Sequence, residues 1–357
     1  MEPSREAIMS ALGDVIDPEL QRPVTELDMV RAVDVDGGHV SVTIALTIAG
    51  CPLRSSFEDQ VTKVMREVPG VERVSLSFDV MTPEERQALT TKLRGGLSER
   101  SKGLSVDAST RVLAVCSGKG GVGKSTLSAN LAVAFSQLGG RAGILDADVY
   151  GHSIPHILGI RQKPVLVDKM IVPPVKGDLK LMSIGFFLDD NQPVMWRGPM
   201  LHRALEQFLS DVHWGELDVL VVDMPPGTGD VAISLGQLLP RAEAIVVTTP
   251  QPAAQEVAAR AGVMAQKTSM RLIGVVENMS GDVFGAGGGE ALAVELGIPF
   301  LGSIPLDPRL RESGDAGEPL VATDPQAAAT EAITTIAEAI AASEAGAIRK
   351  PLPLVTR

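Results

Sequence analysis

Cysteine is scarce in this sequence, which has only Cys51 and Cys116 among its 357 residues. Two cysteines cannot form the disulfide framework of a small secreted domain, and such scarcity is typical of a reducing compartment. No basic stretch is followed by a long apolar run, and the apolar segments are shorter than the roughly 18 residues that a membrane-spanning helix needs. We therefore expect a cytoplasmic protein without a membrane partner.

Aromatic residues and positive charge are also in short supply. Aromatics make up 3% of the chain and hydrophobic residues 45%, so the core must be mainly aliphatic. Such a core suits a parallel sheet that is covered by helices on both faces. The 44 Asp and Glu residues outnumber the 32 Lys and Arg residues, which gives a net charge of −12. Local basic patches remain compatible with this balance, but we expect no nucleic-acid partner.

The N-terminal residues 1–81 predict a small α+β domain. Helical spacing of apolar residues occurs in 5–15 and 55–68, and strand patterns occur in 25–33, 39–46 and 71–78. Asp36-Gly37-Gly38 lies between the first two strands and indicates a hairpin. Residues 82–110 are charged and contain many serines with two adjacent glycines, which predicts a short helix followed by a linker.

From Arg111 onward, short aliphatic runs alternate with helical segments. The runs are 112–116, 142–145, 179–184, 219–222, 244–248, 272–276 and 300–304. Strands that alternate with helices indicate βαβ units, so residues 111–343 are predicted to form an α/β domain with a mostly parallel sheet and helices on both faces. Residues 344–357 are expected to be a frayed tail.

The strongest motif lies between the predicted strand 112–116 and a predicted helix at 127–138. It matches G-x-x-x-x-G-K-[ST], the phosphate-binding P-loop. The predicted nucleotide-binding residues are Gly118, Lys119, Gly120, Gly121, Val122, Gly123, Lys124, Ser125 and Thr126. The glycines let backbone N–H groups turn toward phosphates, Lys124 is expected to bridge the β- and γ-phosphates, and Ser125 is expected to bind Mg²⁺. An ordinary glycine-rich turn is the alternative, but the spacing and the strand–loop–helix context favour an ATP site.

Aspartates follow two of the other predicted strands. Asp146 and Asp148 come after 142–145, and Asp223 ends 219–222. Because the carboxyl ends of strands in an open α/β sheet face the ligand, these carboxylates are expected at the nucleotide site. Asp223 has the Walker-B position that holds Mg²⁺ through water, and the Pro-Pro-Gly-Thr-Gly after it has the composition of a switch. Helix capping is the alternative for each aspartate taken alone.

The loop sequence KGGVGKST, with Lys119 near its start, resembles the deviant P-loop ATPases of the MinD/ParA/nitrogenase-iron-protein class. The resemblance implies that Lys119 reaches across a homodimer interface to the phosphates of the partner. It also implies that Asp148 positions the attacking water and that Asp146 lies near the metal. Lys119, Lys124 and Asp148 are thus the expected catalytic residues.

The same resemblance implies an adenine site near the last two predicted strands. Asn278, in Glu277-Asn278-Met279, would contact the base, and Pro305 with Leu306 would pack on it. A turn position is the alternative for Asn278.

Several longer segments resemble the Mrp-type iron–sulfur cluster carrier ATPases. They are ADVYGHSIPHILG (147–159), WRGPMLHRALEQFL (196–209), DMPPGTGD (223–230) and GDAGEPLV (314–321). At the N-terminus, DPEL (17–20) and GCPLRSSFEDQV (50–61) resemble the small iron–sulfur-assembly domain that often precedes such ATPases. The resemblance implies an ATP-hydrolysing homodimeric carrier whose partners are iron–sulfur apoproteins or assembly factors.

The sequence departs from that family in one loop. The carriers usually place a Cys-x-x-Cys after the ENMS segment, whereas residues 280–289 contain neither cysteine nor histidine. Iron–sulfur clusters need soft thiolate ligands, so Cys51 becomes the remaining candidate ligand and any cluster is expected to be labile. A partly buried small hydrophobe is the alternative for Cys51, and Cys116 is expected in the core. The histidines, at 39, 152, 156, 202 and 213, predict no metal site.

Two other functions stay open. A ParA/MinD-like positioning ATPase would bind DNA or membrane, but residues 326–343 lack both a bulky apolar face and a basic one. A regulatory ATPase without cluster chemistry would account for the missing Cys-x-x-Cys.

Overall fold

The computed structural model describes residues 3–48, 53–93, 105–188, 198–227 and 229–343. Cys51, Thr228 of the predicted switch and the predicted tail 344–357 lie outside these ranges.

Strands and helices occur throughout the described ranges. The strands are β1 (Ile16–Asp17), β2 (Arg22–Pro23), β3 (Val30–Asp36), β4 (His39–Leu46), β5 (Arg73–Val80), β6 (Arg111–Ser117), β7 (Ala142–Asp146), β8 (Val165–Val167), β9 (Met170–Val172), β10 (Val175–Lys176), β11 (Leu179–Ser183), β12 (Val219–Asp223), β13 (Glu243–Thr248), β14 (Arg271–Ser280) and β15 (Phe300–Pro305). The helices are α1 (Arg5–Leu12), α2 (Arg54–Met65), α3 (Pro83–Leu93), α4 (Lys124–Gln137), α5 (Ile154–Ile157), α6 (Gly198–Ser210), α7 (Asp230–Leu238), α8 (Pro252–Lys267), α9 (Gly288–Leu296), α10 (Pro308–Asp315), α11 (Leu320–Thr323) and α12 (Ala328–Ala342), with a 3₁₀ turn at Ile184–Phe187. Within these ranges, every helix is too short or too polar to cross a bilayer.

The chain forms two compact units. Unit 1 consists of residues 1–105 together with 164–177 and 211–215, and unit 2 consists of 106–163, 178–210 and 216–357.

Unit 1 contains the predicted α+β elements. Strands β3 and β4 form an antiparallel hairpin, and β5 pairs with β4 in parallel. The apolar faces of α1 and α2 contribute Ile8, Leu12 and Phe57 to the core. Several boundaries differ from the prediction: α2 ends at Met65 rather than at 68, and β5 spans Arg73–Val80 rather than 71–78. The first helix ends at Leu12, just before Gly13, and the strand predicted at 25–33 begins only at Val30, because residues 25–28 form a turn.

Unit 2 is built on an eight-stranded sheet in the order β10-β11-β7-β12-β6-β13-β14-β15. The strands from β11 to β15 in that order pair in parallel, which confirms the predicted mostly parallel sheet. Successive residues of β13 show that helices cover both faces of the sheet. Ile245 packs in the cluster that contains residues of α4 and α12, whereas Val246 packs with residues of α8 and α9.

The sheet order brings three strand ends together. Strand β6, which leads into the P-loop, lies between β12 and β13, and β12 is also paired with β7. In the register of the β12/β7 pair, Asp223 is directly opposite Asp146. The carboxyl ends of these strands therefore meet at one edge of the sheet.

Candidate functional site

The P-loop connects the central strand β6 to α4, and its glycines are required by its packing and its backbone conformation. A Cβ atom at Gly118 would lie 2.1 Å from the carbonyl carbon of Val257 in α8, so no larger residue fits there. Gly123 has a φ of 81°, in the left-handed region that favours glycine. Helix α4 begins immediately after it, so the helix N-terminus borders the loop, as in an anion site.

Lys124 and Ser125 converge on Asp223. The Lys124 Nζ atom lies 2.8 Å from Asp223 Oδ1, and Ser125 Oγ donates a hydrogen bond of 2.6 Å to Asp223 Oδ2. Lys124 and Asp223 are both buried. A buried ammonium and a buried carboxylate need each other or another charged partner, since either charge alone would be costly in a low-dielectric interior.

Asp146 is fully buried beside this group. Its Oδ2 accepts hydrogen bonds from Ser183 Oγ (3.0 Å) and from the backbone N–H of Ile154 (3.3 Å). Burial, and after it the negative charge of Asp223, raises the pKa of Asp146 to about 8. The site thus contains two carboxylates whose mutual repulsion an added cation would relieve.

Asp148 lies at the edge of the same group. Its Oδ2 is 3.9 Å from Lys124 Nζ, while its Oδ1 accepts a hydrogen bond of 2.9 Å from the backbone N–H of Gly151. The structure therefore brings Asp148 and Asp223 to the same lysine, with Asp146 opposite Asp223 in the sheet.

The oxygen atoms of this site fit a magnesium ion. Mg²⁺ is usually held by one or two carboxylates together with phosphate oxygens and water, rather than by a full set of protein ligands. Ser125 and Asp223 supply a hydroxyl and a carboxylate within hydrogen-bonding distance of each other. Across the described residues, no group of three or more His, Cys, Asp and Glu side chains is arranged to hold a metal.

Two serines in the site were missed by the sequence prediction. Ser128 Oγ donates to Asp223 Oδ1 (2.7 Å), and Ser183 donates to Asp146 as described above. Ser128 lies one helical turn after Lys124 in α4, a spacing that could have indicated the contact. Ser183 ends β11, whose place beside β7 only the sheet order reveals.

Asn278 lies against the P-loop. Its Nδ2 donates a hydrogen bond of 2.9 Å to the backbone carbonyl of Val122, and a Cβ atom at Gly123 would lie 2.2 Å from that same nitrogen. Leu306, which follows Pro305, donates its N–H to the carbonyl of Ser280 (2.9 Å) and joins the ends of β14 and β15. The residues predicted to bind adenine therefore lie at the ends of two neighbouring strands, β14 and β15.

Lys119 is separate from the carboxylates of its own chain. Its side chain is exposed, and among the described residues it has no acidic partner within salt-bridge distance. Its backbone carbonyl accepts a hydrogen bond of 3.1 Å from Ser117 Oγ, which fixes this end of the loop.

The loop at 280–289 is closed by its own backbone. Gly281 and Gly285 exchange two hydrogen bonds, of 2.8 and 2.7 Å, and Val283 between them is exposed. The buried Glu277 carboxylate accepts hydrogen bonds from the N–H groups of Gly287 (3.2 Å) and Gly289 (2.7 Å). These hydrogen bonds hold the loop in shape, and none of them involves a cysteine or histidine side chain.

Cys116 and His152 each pack within unit 2. Cys116 is buried in β6, and burial raises the pKa of its thiol to about 12, so the thiolate is strongly disfavoured. The His152 ring packs against Gly185, where a Cβ would lie 2.3 Å from its Cδ2 atom.

Two family models match different parts of this chain. Residues 108–341 match the family described as NUBPL iron-transfer P-loop NTPase, and residues 5–76 match the family described as iron-sulfur cluster assembly protein.

Full-length relatives and solved structures agree with these matches. The chain is 53% identical over 334 residues to an iron-sulfur cluster carrier protein of Mycobacterium leprae (strain TN), covering 89% of this chain and 87% of that protein. It is 42% identical over 352 residues to a protein of the same name from Synechocystis sp., covering 94% and 96%. A nucleotide-binding protein from Archaeoglobus fulgidus, solved in complex with ADP, shows 38% identity and a TM-score of 0.51 over 58% of this chain and 86% of that one. MinD from Pyrococcus horikoshii OT3, complexed with Mg-ADP, shares the fold at 24% identity, with a TM-score of 0.52 over 65% of this chain and 96% of its own.

Proposed function

The chain belongs to the family of NUBPL-type iron-transfer P-loop NTPases, and from that premise we propose that it is an ATP-driven carrier of iron–sulfur clusters. The resemblance predicted from the sequence is confirmed, because relatives named as carriers match nearly the whole chain. These relatives favour the carrier over the positioning-ATPase alternative. The observation that supports the ATPase part is the convergence of Lys124, Ser125 and Asp223 at the end of the P-loop.

We propose the following roles for the nucleotide-site residues. On binding of ATP, Lys124 turns from Asp223 to the β- and γ-phosphates, and Ser125 and Asp223 hold Mg²⁺, with Asp146 close by. Bound there, the ion would neutralise the charge of the phosphates. Asp148 orients a water molecule, whose oxygen forms the new bond to the γ-phosphorus while the bond to the β–γ bridging oxygen breaks. The products are ADP and inorganic phosphate.

We further propose that the working form is a homodimer. Lys119 is exposed and lacks an acidic partner among the described residues of its own chain. A second protomer that docks over the P-loop would bring phosphates within reach of this lysine, and a cation there stabilises charge that spreads over the transferred phosphoryl group. Asn278, Pro305 and Leu306 are proposed to hold the adenine.

The cluster is the cargo, and we propose that Cys51 supplies its thiolate. Within the described residues the other cysteine, Cys116, is buried with a raised pKa, and the loop 280–289 has neither cysteine nor histidine. Two protomers would provide only two Cys51 thiolates, fewer than the four that common clusters use. The cargo is therefore held in a labile state, completed by an apoprotein, an assembly factor or a small thiol, in the reducing cytoplasm. Residues 1–81 and 111–343 are the proposed functional domains.

Anaerobic reconstitution with iron and sulfide, followed by metal counting and absorption spectra, tests this function. The parent protein should gain visible absorption that is lost in Cys51→Ser and kept in Cys116→Ser. A stable cluster in Cys51→Ser would refute the assignment of the ligand. If the parent gains no cluster but hydrolyses ATP, the regulatory ATPase becomes the better hypothesis.

A further inference from the structure

A hairpin from the ATPase part of the sequence lies in the core of unit 1. Strands β8 and β9 pair antiparallel within residues 164–177, inside the segment that matches the NTPase family, yet they belong to the compact unit formed by the N-terminal residues. Val167 and Met170 are buried in the same apolar cluster as Ile8 and Leu12, whereas Leu166 is 64% exposed. The hairpin thus has one face buried by the N-terminal sequence and one face in solvent.

Hydrogen bonds complete this packing. Thr90 Oγ1, in α3, donates to the carbonyl of Val167 (3.3 Å). The other edge of the hairpin pairs with 211–213, because Ile171 donates to the carbonyl of Asp211 (2.9 Å) and His213 donates to the carbonyl of Ile171 (2.8 Å). Ser105 Oγ donates to the carbonyl of Val212 (2.7 Å). The hairpin therefore pairs with 211–213 along β9, and on the β8 side the carbonyl of Val167 accepts a hydrogen bond from Thr90.

From these contacts we infer that 164–177 and 211–215 form a docking site by which the ATPase sequence holds the N-terminal iron–sulfur-assembly sequence without covalent help from residues 94–104. The occupant is residues 5–93 of this same chain. Each segment is followed in the sequence by a strand that carries a residue of the nucleotide site. The first ends at Gly177, just before β11 with Ser183, and the second ends at Gly215, shortly before β12 with Asp223. The inferred docking site does not depend on whether the protein carries iron–sulfur clusters.

Cleavage of the full-length protein tests the docking site. A recognition sequence for a specific protease replaces part of residues 94–104, the folded protein is cut there, and the products are separated by size-exclusion chromatography. The N-terminal fragment should co-elute with the remainder. Separation of the two fragments in the otherwise unchanged protein would overturn the inference.

Matched variants decide whether the hairpin is responsible. After cleavage, Val167→Asp should release the N-terminal fragment, because it places a carboxylate in the apolar cluster, whereas Leu166→Asp should retain it. Equal release by both variants would contradict the proposed surface. Since Val167→Asp could misfold, the double variant Val167→Ala with Met170→Ala provides a milder test. It should raise the dissociation constant of the cut fragments by at least about 30-fold while the uncut protein still binds ATP. An unchanged constant in this variant would equally refute the role of the hairpin.

Discussion

Two glycine-rich loops of unit 2, residues 118–126 and 280–289, each follow a parallel strand but place different chemistry at its end. The first loop ends in a buried lysine and a serine, and both side chains contact Asp223. At its start the backbone of Gly118 packs tightly against Val257, and at its end the loop continues into α4.

The second loop uses its backbone mainly to hold itself together. Reciprocal hydrogen bonds join Gly281 to Gly285, and the Glu277 carboxylate binds the N–H groups near the start of α9. Of its large hydrophobic side chains, Val283 is 71% exposed and Phe284 is 39% exposed. A loop can therefore keep a defined frame without metal-binding side chains, since frame and ligands depend on different atoms.

The largest effect is expected from removal of the P-loop lysine. Lys124→Ala should weaken Mg²⁺-ATP binding by about 100-fold or more, because the triphosphate loses its main cation while Asp223 is left buried without its ion pair. Binding can be measured by isothermal titration calorimetry. Lys163→Ala, at an exposed position, is the matched control and should bind like the parent. Tight binding by Lys124→Ala would contradict the assigned site.

Asp148→Asn should separate binding from turnover. We expect affinity for ATP close to that of the parent and hydrolysis slower by about 100-fold or more, because the carboxylate is assigned to the water in the hydrolysis step alone. A steady-state phosphate-release assay measures the rate. Hydrolysis at the parent rate would remove Asp148 from the mechanism.

Mixing experiments test whether a second protomer completes the nucleotide site at the first loop. Lys119→Ala chains and Asp148→Asn chains should each be nearly inactive, but in a mixed dimer one site would contain an intact aspartate and the intact lysine of its partner. Activity of the mixture above the sum of the separate proteins is the expected result. Simple additivity at every ratio would show that each chain contains its whole site.

The second loop can be tested by giving it thiolates. Val283→Cys with Ala286→Cys creates a Cys-x-x-Cys within the existing frame, and two protomers would then offer four thiolates, the number that common clusters use. After anaerobic reconstitution, the double variant should retain visible absorption through gel filtration, whereas the Val283→Ser/Ala286→Ser control should not. Equal loss from both proteins would show that the frame alone is insufficient.

A smaller effect is expected at Glu277. Glu277→Gln should lower the free energy of unfolding by about 1–3 kcal/mol, because a charge-assisted acceptor for two backbone N–H groups becomes a neutral one. Glu290→Gln, at an exposed position in the first turn of α9, is the control and should change stability little. Urea denaturation of both variants provides the comparison, and equal stabilities would show that the carboxylate charge is unimportant for the frame.

The sequence by itself determined the strands of the parallel sheet and the identity of the P-loop. The aliphatic runs that precede Ser117, Asp146 and Asp223 are local patterns, and each appears as a strand close to its predicted bounds. The phosphate-binding spacing is local as well, because the turn and the start of the helix lie within ten residues. Such local features can be predicted without knowing which distant residues are in contact.

Only the tertiary structure decided which strand ends meet and where the hairpin at 164–177 packs. The contact between Ser183 and Asp146 depends on β11 lying beside β7, and the contact between Asn278 and Val122 joins positions 156 residues apart. The apolar residues of β8 and β9 indicate that the hairpin must be at least partly buried, but not that the N-terminal sequence buries it. Hydrophobic burial is non-directional, so a sequence pattern can specify that a surface is covered while the choice of the covering element follows from the whole fold.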